Sequence, residues 1–172
     1  SSVTGNQTFG QNSHGGGILA VRSTLNLVDS TISNNVAASD GGGIAGFFGD
    51  VTLLGATIAE NSATGVGGGL SFSDDNDKSL TIQNSIVAGN LDAGTAPDVR
   101  PPLLPSQLTV DFSLIGDNLG TTLAESPTVD QRGNLIGASA SGGVIDPVLQ
   151  PLFFAGSTFT RSLGDNSPAI DA

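Results

Sequence analysis

The sequence predicts an all-β chain, a parallel β-solenoid of five to six rungs, and three observations carry that prediction. A four-residue signal, Gly15-Gly16-Gly17-Ile18, returns as Gly41-Gly42-Gly43-Ile44 and as Gly67-Gly68-Gly69-Leu70, 26 residues apart each time. A fixed period of this size marks a repeat whose units bury their apolar faces only by stacking on one another. Apolar residues between the triplets come in short runs with a spacing of two, as Leu25 and Leu27 do, which suits strands of three to five residues and, with the glycines, excludes continuous helix. Like residues also fall into columns when the repeats are aligned.

Taken in order, the chain opens inside a rung. Residues Ser1 to Asn6 read SSVTGN and repeat in kind as Ser30-Thr31-Ile32-Ser33-Asn34-Asn35, so no capping segment is expected before them. A polar loop, Gln7 to His14, leads into the first full repeat. The alignment places Leu25 over Val51, Leu80 and Leu108 once a three-residue insertion around Asp74 to Lys78 is allowed. Leu27, Leu53, Ile82 and Val110 form a second column, and Ile32, Ile58, Val87 and Ile115 a third, all aliphatic as a strand interior favours. Ser30, Ala56, Ser85 and Ser113 form a small-residue column, and Asn6, Asn35, Asn61, Asn90 and Asn118 close the rungs. Stacked Asn side chains can hydrogen-bond along a parallel stack. Each rung thus reads as three short strands, with successive rungs about 4.8 Å apart.

The fourth rung is longer. Pro97, Pro101, Pro102 and Pro105 mark a loop expected to stay outside the sheets, because proline cannot donate to a ladder. Regular rungs are expected through residue 118, and residues 119–172 as an irregular last rung and a covering segment, all in one domain, 1–172. Within that last part Gly133-Asn134-Leu135-Ile136-Gly137 echoes Ser113-Leu114-Ile115-Gly116. Parallel crossovers favour right-handed winding, so the expected architecture is a single-stranded right-handed parallel β-helix.

Composition narrows the function classes. The formal charge is −11, from 16 acidic against 5 basic side chains, which removes the Lys/Arg footprint of a nucleic-acid binder and the attraction to an anionic membrane. Only 12% of residues are charged while 37% are hydrophobic, with mean hydropathy +0.13, so the polar surface is largely Asn, Ser, Thr and Gln and the chain is too apolar for disorder. No cysteine is present, which excludes a disulfide scaffold or a thiolate metal site. No apolar run reaches the length of a membrane span.

The glycine triplets, Ser-Thr-Ile-Ser-Asn-Asn, Asp146-Pro147-Val148-Leu149 and above all Ser167-Pro168-Ala169-Ile170-Asp171-Ala172 resemble the right-handed parallel β-helix repeat proteins of bacterial surfaces, the group described as choice-of-anchor domains and related to polymorphic outer-membrane protein repeats. The resemblance extends over nearly all of the chain. It implies a secreted, extracellular or cell-surface setting, and it brings no catalytic motif with it.

Candidate chemistry concentrates at the corner before the second strand of each rung, where Arg22, Asp50, Asp74, Asp75, Asp77 and Lys78 are expected to gather. Asp74, Asp75 and Asp77 offer oxygens to calcium and are the weak metal candidates; they lack the glycine and distal glutamate of a calcium-loop motif, so a solvated insertion loop is the reading set against them. His14 is the sole histidine and is read as a polar loop residue, since one histidine makes no metal cluster. Ser167 has no nucleophile elbow around it. Phe47, Phe48 and Phe72 on neighbouring rungs are read as core covering rather than a sugar platform. No catalytic residue and no cofactor is assigned. The expected function is a non-catalytic structural or adhesive β-solenoid of a bacterial surface, sheath or matrix, with partners either further copies stacked head to tail into filaments or surface glycans. The alternatives are a lyase-like polysaccharide enzyme and a glycan-binding module.

Overall fold

The computed structural model of the chain describes residues 1–73, 77–156 and 158–170. Its strands follow in chain order as β1 (Ser2–Thr4), β2 (Ile18–Val21), β3 (Leu25–Val28), β4 (Thr31–Ser33), β5 (Val36–Ala37), β6 (Ile44–Phe47), β7 (Val51–Leu54), β8 (Thr57–Ala59), β9 (Ser62–Ala63), β10 (Leu70–Ser73), β11 (Leu80–Gln83), β12 (Ile86–Ala88), β13 (Val99–Arg100), β14 (Leu108–Asp111), β15 (Leu114–Ile115), β16 (Leu135–Ile136), β17 (Phe153–Ala155) and β18 (Thr158–Thr160). Single 3₁₀ turns at Pro105–Gln107 and Ser139–Ser141 are the helical segments among the described residues.

Three parallel sheets run along the stack, in the orders β1-β4-β8-β12-β15-β16, β2-β6-β10-β13 and β3-β7-β11-β14. The chain is therefore a parallel β-solenoid. Four turns are complete on all three faces and only the first sheet reaches six layers, so the expected five to six rungs hold for that face alone. The registers reproduce the aliphatic columns: Leu25 pairs with Val51, Val51 with Leu80 and Leu80 with Leu108, while Ile32 pairs with Ile58 and Val87 with both Ile58 and Ile115. Leu114-Ile115 pairs with Leu135-Ile136, as their echoing sequences suggest.

The columns fill one continuous core in which Ile32, Ile58, Val87 and Ile115 are fully buried. In the first layer Val3, Ile18, Leu25 and Leu27 pack against that core but are only partly buried, because β1, β2 and β3 are the edge strands of their sheets. At the other end Leu123 packs on the core from the irregular segment after Asn118, and Ser126 bridges antiparallel to Ile136. The glycine triplets are required both by backbone conformation and by close packing between layers. Gly41 adopts a φ of +71°, and a Cβ on Gly42 would lie 2.4 Å from the carbonyl oxygens of both Gly68 and Ser62, a contact no side chain tolerates.

One expectation about the fourth rung needs correction. Val99-Arg100, between Pro97 and Pro101, is not outside the sheets: it pairs with Leu70-Ser71 as β13, because the three residues between these prolines, Asp98 to Arg100, keep their N–H groups. The covering segment lies along the side of the stack. Residues from Ile145 onward form an antiparallel ribbon that runs back along the outer face of the six-stranded sheet, with β17 paired to β18, β18 beside β1, and Leu149 bridged to Leu163. Its apolar contact is a second small core of Ala88, Leu114 and Leu135 under Ile145 and Ala169. Arg161 clamps it to the solenoid by a bidentate ion pair with Glu60. Ser167 donates its hydroxyl hydrogen to the carbonyl of Pro147 at 2.6 Å, so the two arms of this strap are held to each other.

Candidate functional site

Two polar ladders run inside the solenoid, parallel to its axis. Each ladder Asn follows a residue at positive φ, namely Gly5, Asn34, Glu60 and Gly89, which turns its side chain inward. Asn6 donates from Nδ2 to Oδ1 of Asn35 at 3.0 Å, Asn35 to Asn61 at 2.9 Å and Asn61 to Asn90 at 3.0 Å. The backbone N–H of each also bonds the next Oδ1, so every inner amide is satisfied without water. The fifth member is not Asn118, whose Nδ2 instead donates to the carbonyl of Leu123 at 2.8 Å and holds the end segment. Asp98 stands in its place. Its Oδ1 accepts from Asn90 N at 3.1 Å and Nδ2 at 2.9 Å, and its Oδ2 accepts from the N–H of Asp117 at 2.8 Å.

The reason lies in the glycine triplets. Asp98 precedes β13 as Gly17, Gly43 and Gly69 precede β2, β6 and β10, and a Cβ on Gly43 would come within 3.0 Å of Asn61 Nδ2. A side chain is admissible there only in the layer where no further Asn occupies the site, and a carboxyl with two acceptor oxygens suits a ladder that arrives with donors. Asp98 is 2% exposed. Burial pushes its carboxyl up to about 7, against the lowering effect of the Asn90 and Asp117 hydrogen bonds, with neighbouring Asp117 adding to the rise.

The small-residue column is a second ladder. Ala56 N donates to Ser85 Oγ, Ser85 N to Ser113 Oγ, Ser113 N to Asn134 Oδ1, and Asn134 N to Asp130 Oδ1. It too ends on a carboxylate. Asp130 differs from Asp98 because burial, which raises it, is outweighed by hydrogen bonds from the Asn134 and Arg132 N–H groups, leaving it below the usual carboxylate range.

Of the charged corner, Arg22, Asp50, Asp77 and Lys78 are described. Asp50 accepts from the Ser79 N–H at 2.9 Å and the Ser79 hydroxyl at 3.0 Å, and these two bonds lower its pKa. Asp77 stands 3.5 Å from Lys78 Nζ, and Arg22 lies over the ring of Phe48, 5.4 Å from its centre. Asp74 and Asp75 lie outside the described residues. Among the described residues no three His, Cys, Asp or Glu side chains are grouped to hold a metal ion. His14 Nδ1 accepts the backbone N–H of Asp40 at 3.3 Å, and its ring meets Phe47 edge to face at 4.9 Å. The three phenylalanines divide: Phe72 is core, Phe47 is half-buried against His14, and Phe48 is 38% exposed under Arg22. Strand alternation explains the split, since Phe47 pairs with Ser73 and not with Phe72.

Sequence reasoning left one concave site unnoticed. Between the six-stranded sheet and the strap lies a cleft of about 400 Å³, floored by Ile86, Leu114 and Leu135 from three successive layers. Asn84, Phe112 and Gly133, from the corner column, make one wall, and Leu163 and Ala169 of the strap make the other. The outward alternation of Ile86 and Leu114, apolar where a solvent-facing position would be polar, was the signal for a covered face.

No protein-family model, no curated protein and no solved structure matches this chain. The fold and the geometry above are therefore the basis on which function is read.

Proposed function

We propose that this chain is a non-catalytic, extracellular structural or adhesive β-solenoid of a bacterial surface or matrix, of the kind the Ser-Pro-Ala-Ile-Asp and glycine-triplet motifs resemble. The observation that carries the reading is where the polar side chains point. The Asn and Ser ladders run axially and end on Asp98 and Asp130, Asp50 is taken up by Ser79, Asp111 by Arg132 at 2.6 Å, and Glu60 by Arg161. Carboxylates and basic groups in these roles bind layer to layer or strap to solenoid, whereas a lyase would need them converging on one open groove. A rigid rod with a neutral Asn, Ser and Thr surface suits a spacer or a contact surface. At β1, β2 and β3 a further parallel layer, from this chain or another copy, would complete the cover of Val3, Ile18, Leu25 and Leu27.

Incubation with a panel of neutral and uronic-acid polysaccharides, followed by analysis for new reducing ends and unsaturated products, tests the non-catalytic reading. Intact polymers are expected. Product release that disappears when Lys78, Arg100 or Arg132 is substituted would overturn it in favour of a lyase-like enzyme.

A further inference from the structure

The cleft beneath the strap carries an inference that deepens the adhesive reading and rests on it. In the corner column that forms its wall, every layer needs a residue at positive φ: Asp29 at 45°, Gly55 at 62°, Asn84 at 47°, Phe112 at 49° and Gly133 at 77°. Glycine, asparagine and aspartate tolerate that conformation, and a bulky aromatic does not. Phe112 is the exception in the column, and its ring is not buried in return, being 68% exposed. The other phenylalanine held at positive φ, Phe48, lies under Arg22. Phe112 instead packs against Gly133, where an added Cβ would strike its Cδ1 at 2.4 Å, and lines the cleft. Strain kept at an exposed position points to a role at a site.

The chemistry of the walls selects the occupant. The floor is three stacked aliphatics, Ile86, Leu114 and Leu135, one rim offers the Phe112 ring, and Asn84 beside it presents an exposed side-chain amide that makes no hydrogen bond among the described residues. An apolar floor, one aromatic face and a free amide that both donates and accepts match a sugar ring, which has apolar C–H faces and hydroxyl edges. No charged side chain lines the cleft, and the chain carries −11, which disfavours an anionic glycan. An extended peptide would need a strand edge to pair with, but the floor is a sheet face whose backbone groups already bond between layers. We propose that this cleft is a binding site for a neutral pyranose unit of a polysaccharide, stacked on Phe112 and hydrogen-bonded by Asn84.

Amide NMR titration of the 172-residue chain with neutral oligosaccharides of glucose and of N-acetylglucosamine tests this, with uronic-acid oligosaccharides and an alkyl maltoside as competing probes. The expected result is saturable shifts at residues 84–86, 112–114 and 133–135 with at least one neutral sugar. Phe112→Gly should weaken binding at least tenfold while its urea midpoint stays level or rises, because glycine relieves the backbone. Asn84→Gly should weaken it without loss of fold, and Phe9→Ser, on a distant exposed loop, should leave it unchanged. Absence of shifts with every neutral sugar, tighter binding of the uronic acids, saturation by the alkyl chain alone, or undiminished affinity in Phe112→Gly would each overturn the site. Cleavage of the bound sugar would instead overturn the non-catalytic reading and leave the site standing.

Discussion

Replacing Asp98 by Asn changes one atom at the end of the Asn ladder, and its consequence should depend on pH. Asp98 ionises near pH 3.8 when exposed and is pushed up to about 7 in the fold. Between those values the folded chain holds a proton that the unfolded chain has released. The stability from this raised carboxyl is thus fully present below pH 3.8 and is lost as pH rises through about 7. A difference of about 3 pH units at about 1.4 kcal/mol each gives a loss of about 4 kcal/mol across the window. Asparagine cannot ionise, so Asp98→Asn removes that slope. It also turns an amide N–H₂ toward the Asp117 N–H that Oδ2 accepts at 2.8 Å, a mismatch costing about 1 to 3 kcal/mol at every pH. The variant should be less stable than the wild type at pH 4 and level with it or more stable above pH 7. Urea midpoints at half-unit steps from pH 4 to pH 8 measure this, with equal m-values confirming that the same surface unfolds. A gap between the two proteins that stays constant across the range would refute the assignment of a raised, buried carboxyl at the ladder's end.

The remaining predictions concern the layers and the charged corner. Ile58→Asp, at a site with no exposure and no partner for a carboxylate, should cost several kcal/mol and melt the adjoining rungs; unchanged circular-dichroism melting would contradict the core. Asn61→Leu would leave the backbone N–H of Asn35 and the carbonyl of Ile32 without the buried partners Asn61 gives them, so a loss of about 2 to 5 kcal/mol is expected in chemical denaturation, and a near-neutral result would break the ladder. Gly42→Ala forces a Cβ to 2.4 Å from two carbonyl oxygens and should prevent soluble folding, whereas Gly89→Ala, with nothing within 4 Å of its Cβ, should cost only its φ of +69° and stay folded by the same expression and melting test. With Asp50 bonded to Ser79 and Asp77 beside Lys78, a thermal scan should show no rise in Tm on adding millimolar calcium; a rise reversed by chelator would return a metal to the 74–77 insertion.

Parallel stacking explains why so much of the solenoid was legible in its sequence. When layer lies on layer in register, residues one repeat apart become neighbours, so the column of Ile32, Ile58, Val87 and Ile115 is both a sequence pattern and a tertiary contact. The aliphatic core, the three faces, the glycine corners and the first four ladder asparagines follow from that identity. It ends where the repeat ends. Asp98 follows Gly69 by 29 residues, the same interval as Asn61 to Asn90, so its place in the third-glycine column was readable; that its side chain replaces Asn118 was not, because the longer fourth rung carries Asn118 out of line to Leu123. The strap's course was set only in three dimensions. Arg161 meets Glu60 across 101 positions of chain, and no periodicity relates them, since the contact depends on the apolar outer face of Ile86, Leu114 and Leu135 finding a cover. The cleft exists only because that cover stops short of the Asn84 and Phe112 wall. The repeating sequence by itself determined the solenoid, because its contacts recur at a fixed interval; the ladder's acidic end, the strap and the cleft were decided by the tertiary structure, because each joins segments that do not repeat.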